Sequence, residues 1–305
     1  FAISGAGSLL VSAAVLAFMT KFAKFLLQIS VLFSIFASLA VMVMCSFQGY
    51  DSGALMAFVV FAVGVCYAFA VWNRIPWAAS NLTTAITAIQ ANLGVVLVPH
   101  VLSLLSCGYV ILWSLAHFGV CTHSTSCDEN GTCESHLNGG IIALFLLALF
   151  WTQQVIKNVI HVTVSGVVGT WWFAPEDASS FCSPSILDSF CRCTTISFGS
   201  VCLGSLLVAL VSLVRSLAQD ARARGEPGSL LLCIADCLGL MLEKFNKYAF
   251  VYVGLYGYNF VESGDKVMRL FYARGWSLIV NDALVQRVLV WTSLVIGGLT
   301  GAITM

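Results

Sequence analysis

Residues 139–173 read GGIIALFLLALFWTQQVIKNVIHVTVSGVVGTWWF, which is the most informative part of the sequence. It is mostly apolar and longer than the roughly 20 residues that an α-helix needs to cross the hydrocarbon core of a bilayer. Its middle nevertheless carries polar side chains, which are costly at membrane depth and usually face a bundle interior or a water-filled cavity. The stretch therefore predicts a long membrane helix with a polar face.

The polar face consists of Gln154, Asn158, His161 and Ser165, which follow one another at steps of four, three and four. Residues at this spacing lie on one side of a helix. We predict that these four side chains line a substrate path, and the alternative is that they only hydrogen-bond to neighbouring helices. An imidazole ordinarily titrates near neutral pH, so His161 is either a proton-linked switch or one of these interhelical hydrogen-bonding groups.

The composition of the whole chain agrees with a membrane protein. Hydrophobic residues make up 59% of the chain and charged residues 9%, whereas soluble domains carry about 25% charged residues. The 14 basic and 14 acidic side chains cancel, so there is no electrostatic ground for a nucleic-acid partner. We predict an all-α fold, a polytopic transmembrane helix bundle with the lipid bilayer as its partner and about eight membrane helices in this chain.

Short basic junctions between apolar runs predict the topology of a single membrane domain over residues 1–305. Lys21 and Lys24 separate two apolar runs and indicate the cytoplasmic side, as does Arg74. The chain begins at Phe1 and stops inside an apolar run. We therefore interpret the domain as incomplete at both ends.

The charges in the second half of the chain conflict with this topology. Residues 174–192 are interpreted as a loop, and 215–247 as a cytoplasmic basic linker followed by an amphipathic helix. A single crossing by 139–173 would put that basic segment on the outside, against the positive-inside tendency. Either 139–173 crosses twice, with a break near Gln153–Asn158, or a later segment departs from the tendency.

The polar segment 119–138, GVCTHSTSCDENGTCESHLN, is acidic, rich in cysteine and free of Lys and Arg. These features predict an extracellular loop. Asn130 begins the sequon Asn-Gly-Thr and is a predicted glycosylation site. Two of Cys121, Cys127 and Cys133 are predicted to form a disulfide, and their spacing leaves open which two. The spacings fit no familiar zinc pattern, so we predict no metal.

Catalytic and cofactor motifs are absent from the sequence, which holds no Gly-x-Ser-x-Gly, phosphate-binding loop or His-Glu-x-x-His. We therefore predict neither an enzyme nor a cofactor. Aromatic side chains within or beside the spans, Trp113, Trp151, Tyr252 and Tyr256, are candidates for a cage around an ammonium ion, because aromatic faces attract cations. Each of them is also explained by contact with lipid. Together with an uncharged polar face, they suit a small organic cation better than an anion, which would call for buried arginines.

Three linked segments carry a resemblance to a known family. They are FWTQQVIKNVIHVTVSGVVGTWWF (150–173), SFGSVCLGSLLVALVSLVR (197–215) and EKFNKYAFVYVGLYGYNFVESGDKV (243–267). In order and spacing they resemble the choline transporter-like family, solute carrier family 44. Residues 73–118 resemble that family's Pro-initiated amphipathic segment and the span that follows it. The version of the first segment found here is most similar to the fungal and protist branch.

The resemblance implies a bundle of about ten transmembrane helices with both ends cytoplasmic. It implies a multi-pass protein of the plasma membrane, with internal membranes also possible, that moves choline or a related cation without ATP, by facilitated transport or exchange. Against the family pattern, the chain lacks the first helix, the external loop after it and most of the last span. The alternative function is a membrane scaffold or sensor that transports nothing and recruits partners through the basic segment 215–247.

Overall fold

The computed structural model describes residues 2–127, 133–135, 139–224, 229–274 and 277–304, and nearly all of these are helical. In the described part of the chain the α-helices are, in order, α1 (Ala2–Phe47), α2 (Asp51–Val71), α3 (Ile75–Ala91), α4 (Leu97–His123), α5 (Gly139–Phe173), α6 (Pro184–Thr194), α7 (Phe198–Ala223), α8 (Ser229–Tyr256), α9 (Phe260–Arg274) and α10 (Ser277–Thr304). Two short strands, β1 (Thr125–Cys127) and β2 (Cys133–Ser135), pair in antiparallel fashion between α4 and α5.

Among the described residues, six helical stretches are long and apolar enough to cross a bilayer. They are Lys21–Phe47, Ser52–Ala91, Leu93–His123, Gly139–Phe173, Phe198–Ala223 and Asp282–Ala302. The predicted fold class, an all-α polytopic transmembrane bundle, is confirmed, although about eight spans were expected. Helix α8 is not among the six, and it carries charged side chains that resist burial in lipid, including Asp236, Glu243 and Lys244.

Helix boundaries follow local sequence signals. The two apolar runs around Lys21 and Lys24 form one helix, α1, but Phe22 departs from helical geometry with φ −119° and ψ 22°, so the helix kinks at the basic junction. The turn from α1 to α2 contains Gly49 at φ +70°, a backbone conformation that glycine adopts at little cost. Helix α8 ends in the same way, before Gly257 at φ +71°.

Helix α5 runs from Gly139 to Phe173 without a break. At 1.5 Å per residue its 35 residues extend about 52 Å, enough to cross the hydrocarbon core and reach beyond it. The predicted alternative of two crossings broken near Gln153–Asn158 is therefore wrong. Uncharged polar side chains leave the backbone hydrogen bonds of a helix intact, and this segment contains no proline to interrupt them.

The predicted loop and the predicted linker are both largely helical. Residues 174–192 contain most of α6, whose first helical position is held by Pro184, and a short 3₁₀ helix, Pro175–Ala178. In the segment 215–247, α7 continues to Ala223, α8 begins at Ser229, and residues 225–228 lie outside the described chain. Arg215 Nε lies 2.6 Å from Asp236 Oδ1, so an ion pair joins the two helices.

The chain divides into two compact units, residues 1–88 with 271–305, and residues 89–270. In the first unit α1 packs against α2 and α10 around buried side chains such as Leu27, Ile75 and Leu284. In the second unit α5 is the central helix and packs against α4, α6, α7 and α8. All of the predicted path and cage residues lie in this second unit.

Candidate functional site

Glycines let the helices of the second unit approach α5 closely. A Cβ atom added to Gly254 of α8 would lie 2.6 Å from the carbonyl oxygen of Val162 in α5, too near for a real contact. A Cβ atom at Gly169 would lie 2.1 Å from Leu255 Cδ2. Small residues of this kind are typical of tight helix contacts in membranes. The crossing of α5 and α8 thus depends on the absence of these side chains.

The polar face of α5 lies at its contacts with α7 and α8. Asn158 Nδ2 donates to Ser205 Oγ at 2.8 Å, and both residues are buried. His161 Nε2 lies 3.1 Å from the carbonyl oxygen of Lys247. Ser165 Oγ donates to the carbonyl of His161 within the same helix. For Asn158 and His161 these contacts fit the alternative that the polar face joins helices.

Gln154 differs from the rest of the predicted path. It is half-buried, and its amide makes no hydrogen bond to the described residues. Its neighbour Gln153, which lies off the predicted face, accepts a hydrogen bond from Ser106 of α4 at 2.5 Å. The Nε2 atom of Gln153 is buried without a partner in the described chain. The amides of these two residues therefore have unused hydrogen-bonding capacity.

Tyrosines at the end of α8 form what we call the tyrosine cluster, Tyr252, Tyr256 and Tyr258. The ring centroids of Tyr252 and Tyr256 are 5.6 Å apart, and those of Tyr256 and Tyr258 are 5.5 Å apart. Lys266 Nζ lies 5.5 Å from the centroid of the Tyr258 ring, within cation–π range. The sequence predicted the shared face of Tyr252 and Tyr256, whereas Tyr258, which follows the end of the helix, was not among the cage candidates.

The two predicted tryptophans lie elsewhere in the unit. Trp113 of α4 donates its indole N–H to the carbonyl of Phe145 at 2.9 Å and stacks on His117 with ring centroids 5.1 Å apart. Trp151 of α5 donates to the carbonyl of Cys202 at 3.0 Å. No ring contact among the described residues joins either tryptophan to the tyrosine cluster.

Helix α6 contributes residues that sequence reasoning did not single out. Arg192 Nη2 donates to the carbonyl of Gly254 at 2.7 Å. It passes beside Gly166, where an added Cβ atom would lie 3.1 Å from Nη2. Next to it, burial raises the pKa of the Cys193 thiol to about 11, a rise that the Thr163 hydroxyl and the Arg192 guanidinium oppose only in part. The signal available in the sequence was Pro184, a typical first residue of a helix.

The cysteine-rich loop is described only in part. Cys121 Sγ lies 3.7 Å from His117 Nε2. The register of β1 and β2 places Cys127 directly opposite Cys133. Asn130 and the side chains of these two cysteines lie outside the described residues, so the glycosylation and disulfide predictions stay predictions. Within the described chain, no group of three or more His, Cys, Asp or Glu residues is placed to hold a metal ion.

Six helical stretches long and apolar enough to cross a bilayer are typical of a multi-pass membrane protein. The chain belongs to the family described as plasma-membrane choline transporter, whose model matches residues 55–305. The match includes α5, α7 and α8, and it confirms the family resemblance seen in the sequence. Membership places the protein in a family of membrane transporters.

Curated relatives agree with this assignment. The chain is 34% identical to Protein PNS1 of Yarrowia lipolytica over 79% of its own length and 45% of the relative. It is 29% identical to Protein PNS1 of Cryptococcus neoformans over 95% of its length and 55% of the relative. It is also 29% identical to a CTL-like protein of Dictyostelium discoideum, over 90% and 48%. The chain thus spans about half the length of the curated relatives that it matches.

Proposed function

We propose that the protein of which this chain is part carries choline, or a closely related small organic cation, across a membrane. Transport is by facilitated diffusion or exchange and does not use ATP. The observation that carries the proposal is the family match over residues 55–305, which covers the whole second unit. The family's description supports a plasma-membrane location. We propose in addition that the segment 119–138 lies outside the cell and that Asn130 is glycosylated, because this segment is acidic, rich in cysteine and contains a sequon.

Gln154 is the centre of the proposed path. A polar side chain at membrane depth normally finds a partner or faces water, and the Gln154 amide has no partner among the described residues. Asn158 and His161 are engaged with neighbouring helices, and Ser165 is bonded within α5. We therefore assign direct substrate contact to Gln154 and a positioning role to the other three.

The tyrosine cluster is the proposed contact for the ammonium group. Tyr256 is 53% exposed, so part of its ring is open to a ligand. The position of Lys266 over Tyr258 supports the idea that these rings attract positive charge. Trp151, whose indole N–H alone is engaged, is a second candidate, whereas one face of Trp113 is covered by His117.

Uptake of labelled choline by the full-length protein in choline-uptake-deficient cells tests the proposal. We expect Gln154→Leu to lose most uptake at an unchanged surface level. We expect Tyr256→Ala to raise the half-saturating choline concentration by about 5- to 30-fold, the equivalent of about 1–2 kcal/mol of lost cation–π attraction.

Matched controls are Gln90→Leu, an exposed glutamine of α3, and Tyr272→Ala, whose side chain is 85% exposed. Both should transport like the unmodified protein. Unchanged uptake in Gln154→Leu or Tyr256→Ala would remove that residue from the site. Absence of choline uptake by correctly localised, unmodified protein would contradict the proposed function.

Partner recruitment through the segment 215–247 draws less support from the described residues. Arg215 is paired with Asp236, and Arg224, directly after α7, is paired with Asp220 of that helix. Two of the cations expected to attract a partner are thus neutralised by neighbouring carboxylates.

A further inference from the structure

A groove of about 400 Å³ lies between α1 and α10 in the first unit, and we call it the basic groove. Its lining residues are Ser34, Ala283, Gln286, Arg287, Val290 and Trp291. Arg287 is the one charged side chain among them. It belongs to the stretch Asp282–Ala302 of α10, which is long and apolar enough to cross a bilayer. The groove therefore holds a cation inside a membrane span.

The charge of Arg287 is not neutralised by the described residues. Its guanidinium carbon lies 4.4 Å from the centroid of the Tyr67 ring of α2, but it makes no hydrogen bond or ion pair within the described chain. An aromatic ring attracts a cation and supplies no net negative charge. Because charged side chains within membrane spans are normally paired, the position of Arg287 indicates an anionic ligand.

The depth of Arg287 suits the headgroup region of a lipid. The span begins at Asp282, and at 1.5 Å per residue Arg287 is about 7.5 Å further along the helix. Side chains of a helix tilt toward its N-terminus, and arginine extends its charge toward the interface while its alkyl chain stays among apolar groups. The guanidinium is thus within reach of a lipid phosphate.

A second groove, of about 340 Å³, adjoins the basic groove, because Trp291 lines both. We call it the apolar groove, and its lining includes Phe18, Leu26, Ile29, Phe33, Val288 and Val295. The rings of Trp291 and Phe33 meet edge-on, with centroids 4.5 Å apart. Phe18, Phe33 and Val295 are about half exposed, so the groove is open to lipid.

The two grooves follow each other along α10. The basic groove is lined from Ala283 to Trp291, and the apolar groove from Val288 to Val295, further from the start of the span. A ligand that occupies both has an anionic end beside Arg287 and an apolar end deeper in the bilayer. A phospholipid has this arrangement of charge and apolar chain.

We propose that the basic and apolar grooves together bind an anionic phospholipid, with its phosphate at Arg287 and one acyl chain against Trp291 and Val295. Basic pockets between membrane helices are typical binding sites for anionic headgroups. The phosphate supplies the negative charge that Arg287 lacks, and the acyl chain covers the apolar side chains. None of the residues assigned to choline transport belongs to this unit, so the lipid is a ligand distinct from the transported solute.

Native mass spectrometry of the full-length protein in detergent tests the proposal. The protein is titrated with dioleoylphosphatidylglycerol or with dioleoylglycerol, which has the same chains and no phosphate. We expect phosphatidylglycerol to bind about tenfold more tightly, the low end for a hydrogen bond between charged groups. We expect Arg287→Gln to remove this preference. Arg222→Gln, which removes an exposed arginine of α7 outside both grooves, should keep it.

A variant that keeps the charge tests the apolar groove. We expect Val295→Trp, which fills the groove beside Trp291, to weaken phosphatidylglycerol binding several-fold. If Arg287→Gln fails to fold, this variant decides alone, and unchanged binding in it overturns the proposal.

Three further results would overturn the proposal. They are equal binding of the two lipids by the unmodified protein, an unchanged preference in Arg287→Gln, and displacement of phosphatidylglycerol by an equal concentration of glycerol 3-phosphate. The last result would show a site for a free anion, because glycerol 3-phosphate has the phosphate and no acyl chain.

Discussion

Asn158 illustrates what most polar side chains of α5 do. Asn158 as a residue is 9% exposed, and its amide donates to Ser205, which is fully buried. Membrane helices gain little from apolar contact with each other, because lipid tails are equally apolar, so such hydrogen bonds help to define which faces meet. Asn158 is therefore expected to act on stability first and on transport only through the position of α5.

A double-mutant cycle between Asn158→Leu and Ser205→Ala tests this role. We expect each substitution alone to lower the free energy of unfolding in detergent. The double variant should lose about 0.5–1.5 kcal/mol less than the sum of the two single losses, which is the range of interhelical hydrogen bonds in membranes. Ser212→Ala is the matched control, since Ser212 bonds the carbonyl of Val208 in its own helix. If the effects of Asn158→Leu and Ser205→Ala on stability are fully additive, the hydrogen bond between the two residues contributes nothing to stability.

Two cysteines of α6 make a second prediction at this scale. Cys191 is exposed, whereas Cys193 is buried and burial raises its pKa to about 11. Thiolates are the reactive form, so an alkylating reagent at pH 7.5 should modify Cys191 and leave Cys193 intact until the protein is denatured. Trypsin cleaves after Arg192 and separates the two, so peptide mass spectrometry gives the answer. Equal modification of both in the folded protein would contradict the buried position of Cys193.

The sequence placed Asn158 and His161 on one helix face because helical periodicity is a local property. It could not supply their partners, Ser205 and the carbonyl of Lys247, which lie 47 and 86 residues away.

Among the helix contacts, the crossing of α5 and α8 offers a sharp test of packing, because the two helices approach each other through glycines. Gly254→Ala would place a methyl carbon 2.6 Å from the carbonyl oxygen of Val162. That oxygen belongs to the backbone of α5, so it can move away only if α5 itself moves. We expect a loss of about 1–3 kcal/mol in stability, although alanine is otherwise favoured over glycine in a helix. Thermal unfolding in detergent measures it.

Gly199 of α7 provides the matched control, because an added Cβ atom there meets nothing within 4 Å. Gly199→Ala should leave the melting temperature unchanged or raise it. A Gly254→Ala protein as stable as the control would show that the two helices are not in close contact.

The β1–β2 pair makes a second prediction about elements. Directly opposed residues of an antiparallel pair have Cα atoms about 4.5–5.5 Å apart, within the range that a disulfide spans. Because Cys127 lies opposite Cys133 in the backbone register, we expect these two to form the disulfide and Cys121 to stay reduced. Mass spectrometry of unreduced peptides from the secretory pathway identifies the bond. A bond from Cys121 to either of the others would contradict the register.

Helices were predicted correctly from the sequence where a segment is long and apolar, and were missed where a segment is short and its helix propensity is modest. The long apolar run 139–173 predicted α5 because it is too apolar for anything except a membrane helix. The eleven-residue α6 was read as a loop, since Ser, Cys and Thr dominate its sequence and their helix propensity is modest. Its contacts with α5 outweigh that propensity.

At the scale of the whole molecule, composition alone fixed the class of protein. A chain with 59% hydrophobic and 9% charged residues cannot keep its apolar surface from water without a membrane. Composition does not identify the substrate, because aromatic and amide side chains serve lipid contact and helix packing as well as ligand binding. Family membership over residues 55–305 is what favours a choline-like cation among the possible solutes.

A direct test of the proposed choline transport without ATP is uptake of labelled choline into proteoliposomes that contain only the full-length protein. With no ATP present, we expect saturable uptake that unlabelled choline inhibits. Uptake by facilitated diffusion stops when the choline concentrations inside and outside are equal, whereas exchange requires choline inside. Correctly inserted protein that gives no more choline flux than protein-free liposomes would show that the proposed function is wrong.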